Sequence, residues 1–115
     1  MPKFFVKHEQ DFPWQVHPKH EAVSQKFVNE GTDGTPEVFF VQNKPGYTSR
    51  VHSHSQDEVI YVLEGEVSVG GRRCPAGTVV YVQKDTLYGP LVAGPQGVKF
   101  INIRPAKATA FIKEK

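Results

Sequence analysis

Short runs of alternating or continuous apolar residues, each bounded by glycine or proline, recur along the chain from one end to the other. They predict strands at Lys3 to Val6, Ser24 to Asn29, Glu37 to Gln42, Arg50 to His54, Val59 to Leu63, Glu66 to Val69, Thr78 to Val82 and Val98 to Arg104. Between them, Gly31-Thr32-Asp33-Gly34, Pro45-Gly46, Gly65, Gly70-Gly71, Pro75-Ala76-Gly77 and Gly94-Pro95-Gln96-Gly97 read as turns, with Gly65 a tight corner. No stretch has the periodicity of a long amphipathic helix. Many short strands at close spacing predict an all-β sandwich or barrel.

Strand parity places Ile60 and Val62 on the face of Glu58, and Val59, Tyr61 and Leu63 on the other. Both faces are apolar, so both are expected to be covered. Phe39 or Phe40, Phe100, Asn102 and Arg104 are further candidates for the interior, where a core or rim role is as open as a ligand contact. The chain of 115 residues is long enough for one domain that buries roughly two-thirds of its unfolded surface. Residues 1–35 read as an arm with the first strands, packed on the barrel or on a second subunit. Residues 36–105 read as the barrel core and 106–115 as a polar tail with Phe111-Ile112 as anchor.

Fourteen basic and twelve acidic residues are interspersed, giving a net charge of +2 and no basic stripe for nucleic acid. The opening is too short in apolar residues for a signal peptide, and no stretch approaches a membrane span. A lone cysteine forms no intrachain disulfide, which fits the reducing cytoplasm. Cys74 reads as a small strand residue, and His17 and His20 as surface histidines without a ligand cluster. No repeat, low-complexity segment or phosphate-cradling glycine loop is present.

The candidate chemistry lies in GYTSRVHSHSQDEVIYVLEG, where Gly46, His52, His54, Glu58 and Gly65 stand in the pattern G-x5-H-x-H-x3-E-x6-G. Alternate side chains on a strand share a face about 6.6 Å apart, so His52 and His54 can converge on one ion while Ser53 points away. Ser55, Gln56 and Asp57 form a turn that returns Glu58 to the same place. Two neutral imidazoles and a carboxylate leave open positions on a divalent metal, as in non-haem iron and some catalytic zinc sites. The bland alternative makes both histidines surface groups and Glu58 a solvated carboxylate.

These residues resemble the first motif of the cupin family, and the likeness extends from about Val38 to Pro105. The resemblance implies a double-stranded β-helix, the cupin jelly-roll barrel, with His52, His54 and Glu58 as three of four metal ligands. The second cupin motif, G-x5-P-x-G-x2-H-x3-N, aligned from Gly77, meets Gln83, Asp85, Tyr88 and Val92, so Tyr88 replaces the fourth histidine. Three roles are open to Tyr88: a phenolate ligand, a substrate contact or acid/base group, and an aromatic wall. The family's sheet faces commonly pair, which implies a homodimer.

Three functions follow as expectations. The first is a metal enzyme, a dioxygenase, isomerase or lyase, in which His52, His54, Glu58 and Tyr88 hold iron, manganese, nickel or zinc. Its substrate is a small oxygen-bearing molecule, with Tyr88 and His54 as catalytic groups. The second is a metal-free epimerase or dehydratase of sugars or nucleotide sugars: His52 or His54 is the base, Tyr88 the acid, and Glu58 sets a histidine tautomer. The third is a non-catalytic module that binds or senses a small molecule. One fold hosts many reactions, so the resemblance does not choose among them.

Overall fold

The computed structural model describes residues 4–113. Its strands are β1 (Gln15–His17), β2 (His20–Glu30), β3 (Glu37–Asn43), β4 (His52–His54), β5 (Glu58–Val69), β6 (Arg72–Pro75), β7 (Val79–Val82), β8 (Leu91–Arg104) and β9 (Ala110–Ile112). One 3-10 turn, Glu9–Asp11, is the sole helical element among the described residues. The all-β expectation therefore holds. A seven-stranded antiparallel sheet runs β1-β2-β3-β8-β5-β6, with β7 also on β5, and β4 pairs with β9 in a separate ribbon. No helix of the described residues is long and apolar enough to cross a membrane.

The period-two alternation of three central strands builds the interior. β3 buries Glu37, Phe39, Val41 and Asn43; β8 buries Val98, Phe100, Asn102 and Arg104; β5 buries Glu58, Ile60 and Val62. Register aligns them in layers, with Phe39, Asn102 and Ile60 side by side, then Val41, Phe100 and Val62. Glu37 lies opposite Arg104 at one end and Asn43 opposite Val98 at the other. The parity left open by the sequence is thus fixed: Phe39, not Phe40, faces inward. Aliphatic and aromatic burial in the middle layers supplies the main stabilisation.

Several expected boundaries are corrected. Gly65 is not a corner between two strands: β5 runs through it, with register shifts at Val62/Glu64 and Gly65/Val67. Its φ of 69° suits glycine, and a Cβ there would collide with the carbonyl oxygen of Gly97. Residues 94–97 likewise lie within β8. Bulges and turns ask for the same residues, and bulges let long strands bend around the core.

The two ends also differ from expectation. Phe4 and Val6 form no strand and are exposed, while Lys3 lies outside the described residues. The arm instead folds back as the β1-β2 hairpin, and Lys26 is held by Glu9 O at 2.6 Å and by the Trp14 ring at 4.7 Å. The C-terminal segment is a strand rather than a polar tail: β9 pairs Ile112 with His52 and Ala110 with His54. Glu114 and Lys115 lie outside the described residues. Cys74 is a buried free thiol on β6, as read from the sequence. The outer face of β5, β7 and β8 is not covered, since Tyr61, Val79, Tyr81 and Ile103 are exposed.

Candidate acid–base site

β4 is only three residues long, and its placement relies on neighbours. On one side β9 pairs with it; on the other, His52 and Tyr88 exchange backbone hydrogen bonds, N to O, at 3.0 and 2.9 Å. This bridge sets the Tyr88 ring 4.6 Å from the His52 ring, while the His54 ring lies 4.9 Å from His52. The Ser55 to Asp57 turn is fixed by Asp57 Oδ1, which accepts from Lys84 N at 2.8 Å, and it delivers Glu58 to the buried start of β5. The four residues singled out by sequence therefore meet at one end of the barrel interior.

Their partners are not those expected. Arg104, at the end of β8, donates from Nε and Nη2 to Glu58 Oε2 at 2.9 and 2.6 Å, and from Nη1 to Glu37 Oε1 at 2.8 Å. Tyr88 donates its hydroxyl proton to the other Glu58 oxygen, Oε1, at 2.5 Å. Arg104 Nη2 also lies 3.2 Å from His54 Nε2. A guanidinium can only donate, so Nε2 accepts and the His54 proton sits on Nδ1, which is buried, has no hydrogen-bond partner and lies 3.6 Å from Glu58 Oε1. By the same logic, His52 Nδ1 donates to the Arg50 carbonyl at 2.7 Å, which leaves the lone pair on Nε2.

Electrostatics sharpen these roles. Burial, reinforced by Arg104 and His52 and only partly opposed by Glu58, lowers the His54 pKa to about 4, so its ring is neutral at pH 7. Burial and then the Glu58 charge and hydrogen bond push the Tyr88 hydroxyl well above its usual range, so it stays protonated. For Arg104, burial alone would favour deprotonation, but Glu58 and Glu37 outweigh it and raise its pKa. The network carries two carboxylates against one guanidinium, hence one negative charge in excess.

A metal centre does not fit this donor set. Among the described residues no group of three or more His, Cys, Asp or Glu side chains is arranged to hold an ion. Glu58 Oε2 and His54 Nε2 are both engaged by Arg104 and Glu58 Oε1 accepts from the protonated Tyr88 hydroxyl, so of the four expected ligands His52 Nε2 is the one whose lone pair meets none of the other three or Arg104. An ion seated on Glu58 Oε2 and His54 Nε2 would have to displace the Arg104 guanidinium from both atoms. The expected four-ligand set of His52, His54, Glu58 and Tyr88 is thus brought together in space, but Glu58 and His54 are bound to an internal cation and Tyr88 to Glu58.

Beside this network lies an open cavity of about 340 Å³ bounded by His52, His54, Tyr88, Phe39, Phe100 and Asn102, with Asn43 and His20 also on its wall. The amide oxygens of Asn43 and Asn102 are buried and have no hydrogen-bond partner. Buried acceptors left unpaired are costly and uncommon; both residues line the cavity, although these two oxygens are themselves closed off from it. Sequence reading named Asn102 and Arg104 as interior candidates and missed Glu37 and Asn43. Their signal was parity, since both alternate with Phe39 and Val41 on β3.

Comparison with known proteins gives the class first. The fold is that of the cupin barrels. It is similar to the polyketide cyclase RemF from Streptomyces resistomycificus, with TM-score 0.81 and 18% identity over 98% of this chain and 87% of that one. It is similar also to an acetylacetone dioxygenase from Acinetobacter johnsonii, with TM-score 0.79 and 13% identity over 99% and 80% of the two chains. A third similar structure is that of Rhodobacter sphaeroides SigE in complex with the anti-sigma ChrR, with TM-score 0.69 and 17% identity over 85% of this chain and 52% of that one. The sequence model of the ChrR cupin-like domain matches residues 2–110, and the chain belongs to that family. No curated protein matches the sequence.

Proposed function

We propose that this cupin barrel binds a small, uncharged, oxygen-bearing molecule in its cavity and moves a proton on it without a metal. His52 is the base. Its Nδ1 hydrogen bond to Arg50 O, at 2.7 Å, fixes the tautomer with a basic Nε2, and this is the observation that carries the reading. His54 is too weak a base for that task, with its lone pair turned to Arg104 and its pKa near 4. Tyr88 positions Glu58 rather than serving as the acid, because its proton is committed to that carboxylate.

The negative excess of the Glu37, Arg104 and Glu58 network disfavours an anionic ligand, which argues against nucleotide sugars and for neutral hydroxy-carbonyl compounds. Asn43 and Asn102 line the cavity and offer their amide groups to the ligand's polar atoms. The reaction class is enolisation, as in isomerisation, epimerisation or dehydration. The test is deuterium wash-in by NMR from D2O into a panel of neutral hydroxy-carbonyl compounds, with protein purified without a metal-affinity tag. Exchange that survives EDTA and is lost in His52→Gln supports the reading; exchange abolished by EDTA and restored by iron, manganese, nickel or zinc sinks it and reinstates His52, His54 and Glu58 as ligands.

A non-catalytic binding role is favoured by the same cavity, whose mixed polar and apolar lining can hold a ligand without turnover. Saturable binding without exchange in any compound selects it. A homodimer through the exposed strip of Tyr61, Val79, Tyr81 and Ile103 is the expected assembly, and sedimentation of the wild type against Tyr81→Glu checks it.

A further inference from the structure

The Arg104 guanidinium occupies two of the motif's three donors, Glu58 and His54. Nη2 is 2.6 Å from Glu58 Oε2 and 3.2 Å from His54 Nε2, so one nitrogen touches two of the motif's donors at once. It is held there from three further directions: Nε on Glu58 at 2.9 Å, Nη1 on Glu37 at 2.8 Å, and the Phe39 ring with its centroid 5.1 Å from Cζ. Glu37 lies opposite Arg104 in strand register, and its buried Oε1 accepts from the guanidinium at 2.8 Å and from Ala108 N at 3.4 Å. A planar fork anchored at both prongs is pre-organised and always charged, unlike a lysine that could deprotonate and withdraw.

We infer that Arg104 is a built-in substitute for a metal ion, and that the His52, His54 and Glu58 site is a latent metal centre closed by this side chain. Glu37 is the latch that keeps it closed. The inference rests on the metal-independent reading above. Removing the guanidinium frees Glu58 Oε2 and His54 Nε2 together and leaves two carboxylates without their counter-charge, so the vacated place attracts a divalent ion. Tyr88 stays on the remaining Glu58 oxygen and does not need to move.

The experiment is a cobalt(II) and zinc(II) titration of tag-free wild type and Arg104→Met, read by visible absorption and calorimetry. Arg104→Met leaves two buried carboxylates, so Glu37→Gln/Arg104→Met is titrated beside it; with one carboxylate and no guanidinium it keeps the network's charge of minus one. The expected result is one ion per chain in the variants, bound at least a hundredfold more tightly than by wild type, and lost when His54→Ala is added. No gain in the folded double variant overturns the inference while leaving metal-independent function standing. A gain that survives His54→Ala comes from another site and overturns it too. Tight stoichiometric binding by wild type defeats both the inference and the reading beneath it.

Discussion

The two halves of the barrel interior treat polar groups in opposite ways. At the motif end, Glu58, Glu37, Arg104 and the Tyr88 hydroxyl satisfy one another, and His54 Nδ1 alone goes without a partner. Farther along the same strands, Asn102, one layer in beside Phe39 and Ile60, and Asn43, at the far end opposite Val98, have buried amide oxygens with no partner among the described residues. The charged network is therefore scaffold, held by its own pairing, whereas the cavity beside it carries the free lone pair of His52 and the two asparagines. Function is to be sought where the folded chain leaves polar atoms unanswered.

The comparison breaks most severely at Arg104. Arg104→Met should cost about 3–5 kcal/mol in metal-free buffer, because it strands two buried carboxylates, and urea denaturation of the variant measures it. Tyr88→Phe removes one charge-assisted hydrogen bond from Glu58 and should cost about 1.5–3 kcal/mol by the same assay. Both changes weaken the scaffold.

A pH titration probes the one unpaired atom of the charged end. The folded pKa of His54, about 4, lies below the ordinary 6.5, so above pH 6.5 the ring is neutral in both states and contributes nothing. As pH falls from 6.5 towards 4, the unfolded chain takes up the proton first and stability declines; below 4 both states are protonated and the loss levels off. With screening by the water that reaches this partly exposed ring, the decline should be about 1–2 kcal/mol. His54→Gln should flatten that part of the stability profile.

The amide end should respond in the reverse sense. Asn102→Leu replaces an unpaired buried amide with an apolar side chain of similar size, so it should raise stability by about 1 kcal/mol. Ligand-induced thermal stabilisation should fall with it. A variant that is both less stable and normal in binding would show that Asn102 belongs to the scaffold instead.

Much of this was legible in the chain. Period-two alternation and turn residues gave the all-β class, and the spacing of His52, His54 and Glu58 located the site. Gly65 and residues 94–97 misled because a bulge uses the same residues as a turn, and only the pairing of β5 with β8 separates them. Phe111-Ile112 was too short to read as a strand without β4 beside it. The decisive partner of Glu58 lies 46 positions away at Arg104, and Glu37 lies a further 21 positions before Glu58. Such contacts are set by sheet register, and a motif scan that stops at donor types does not reveal that those donors are already taken.

The central claim is that an arginine, not a metal, organises this site. It is tested most directly by a crystal structure of tag-free protein grown with a small excess of zinc, with anomalous data collected on both sides of the zinc edge. The account predicts no anomalous peak among His52, His54 and Glu58, with Arg104 Nη2 still 2.6 Å from Glu58 Oε2. A zinc peak shared by those three side chains, with Arg104 swung away, would contradict it.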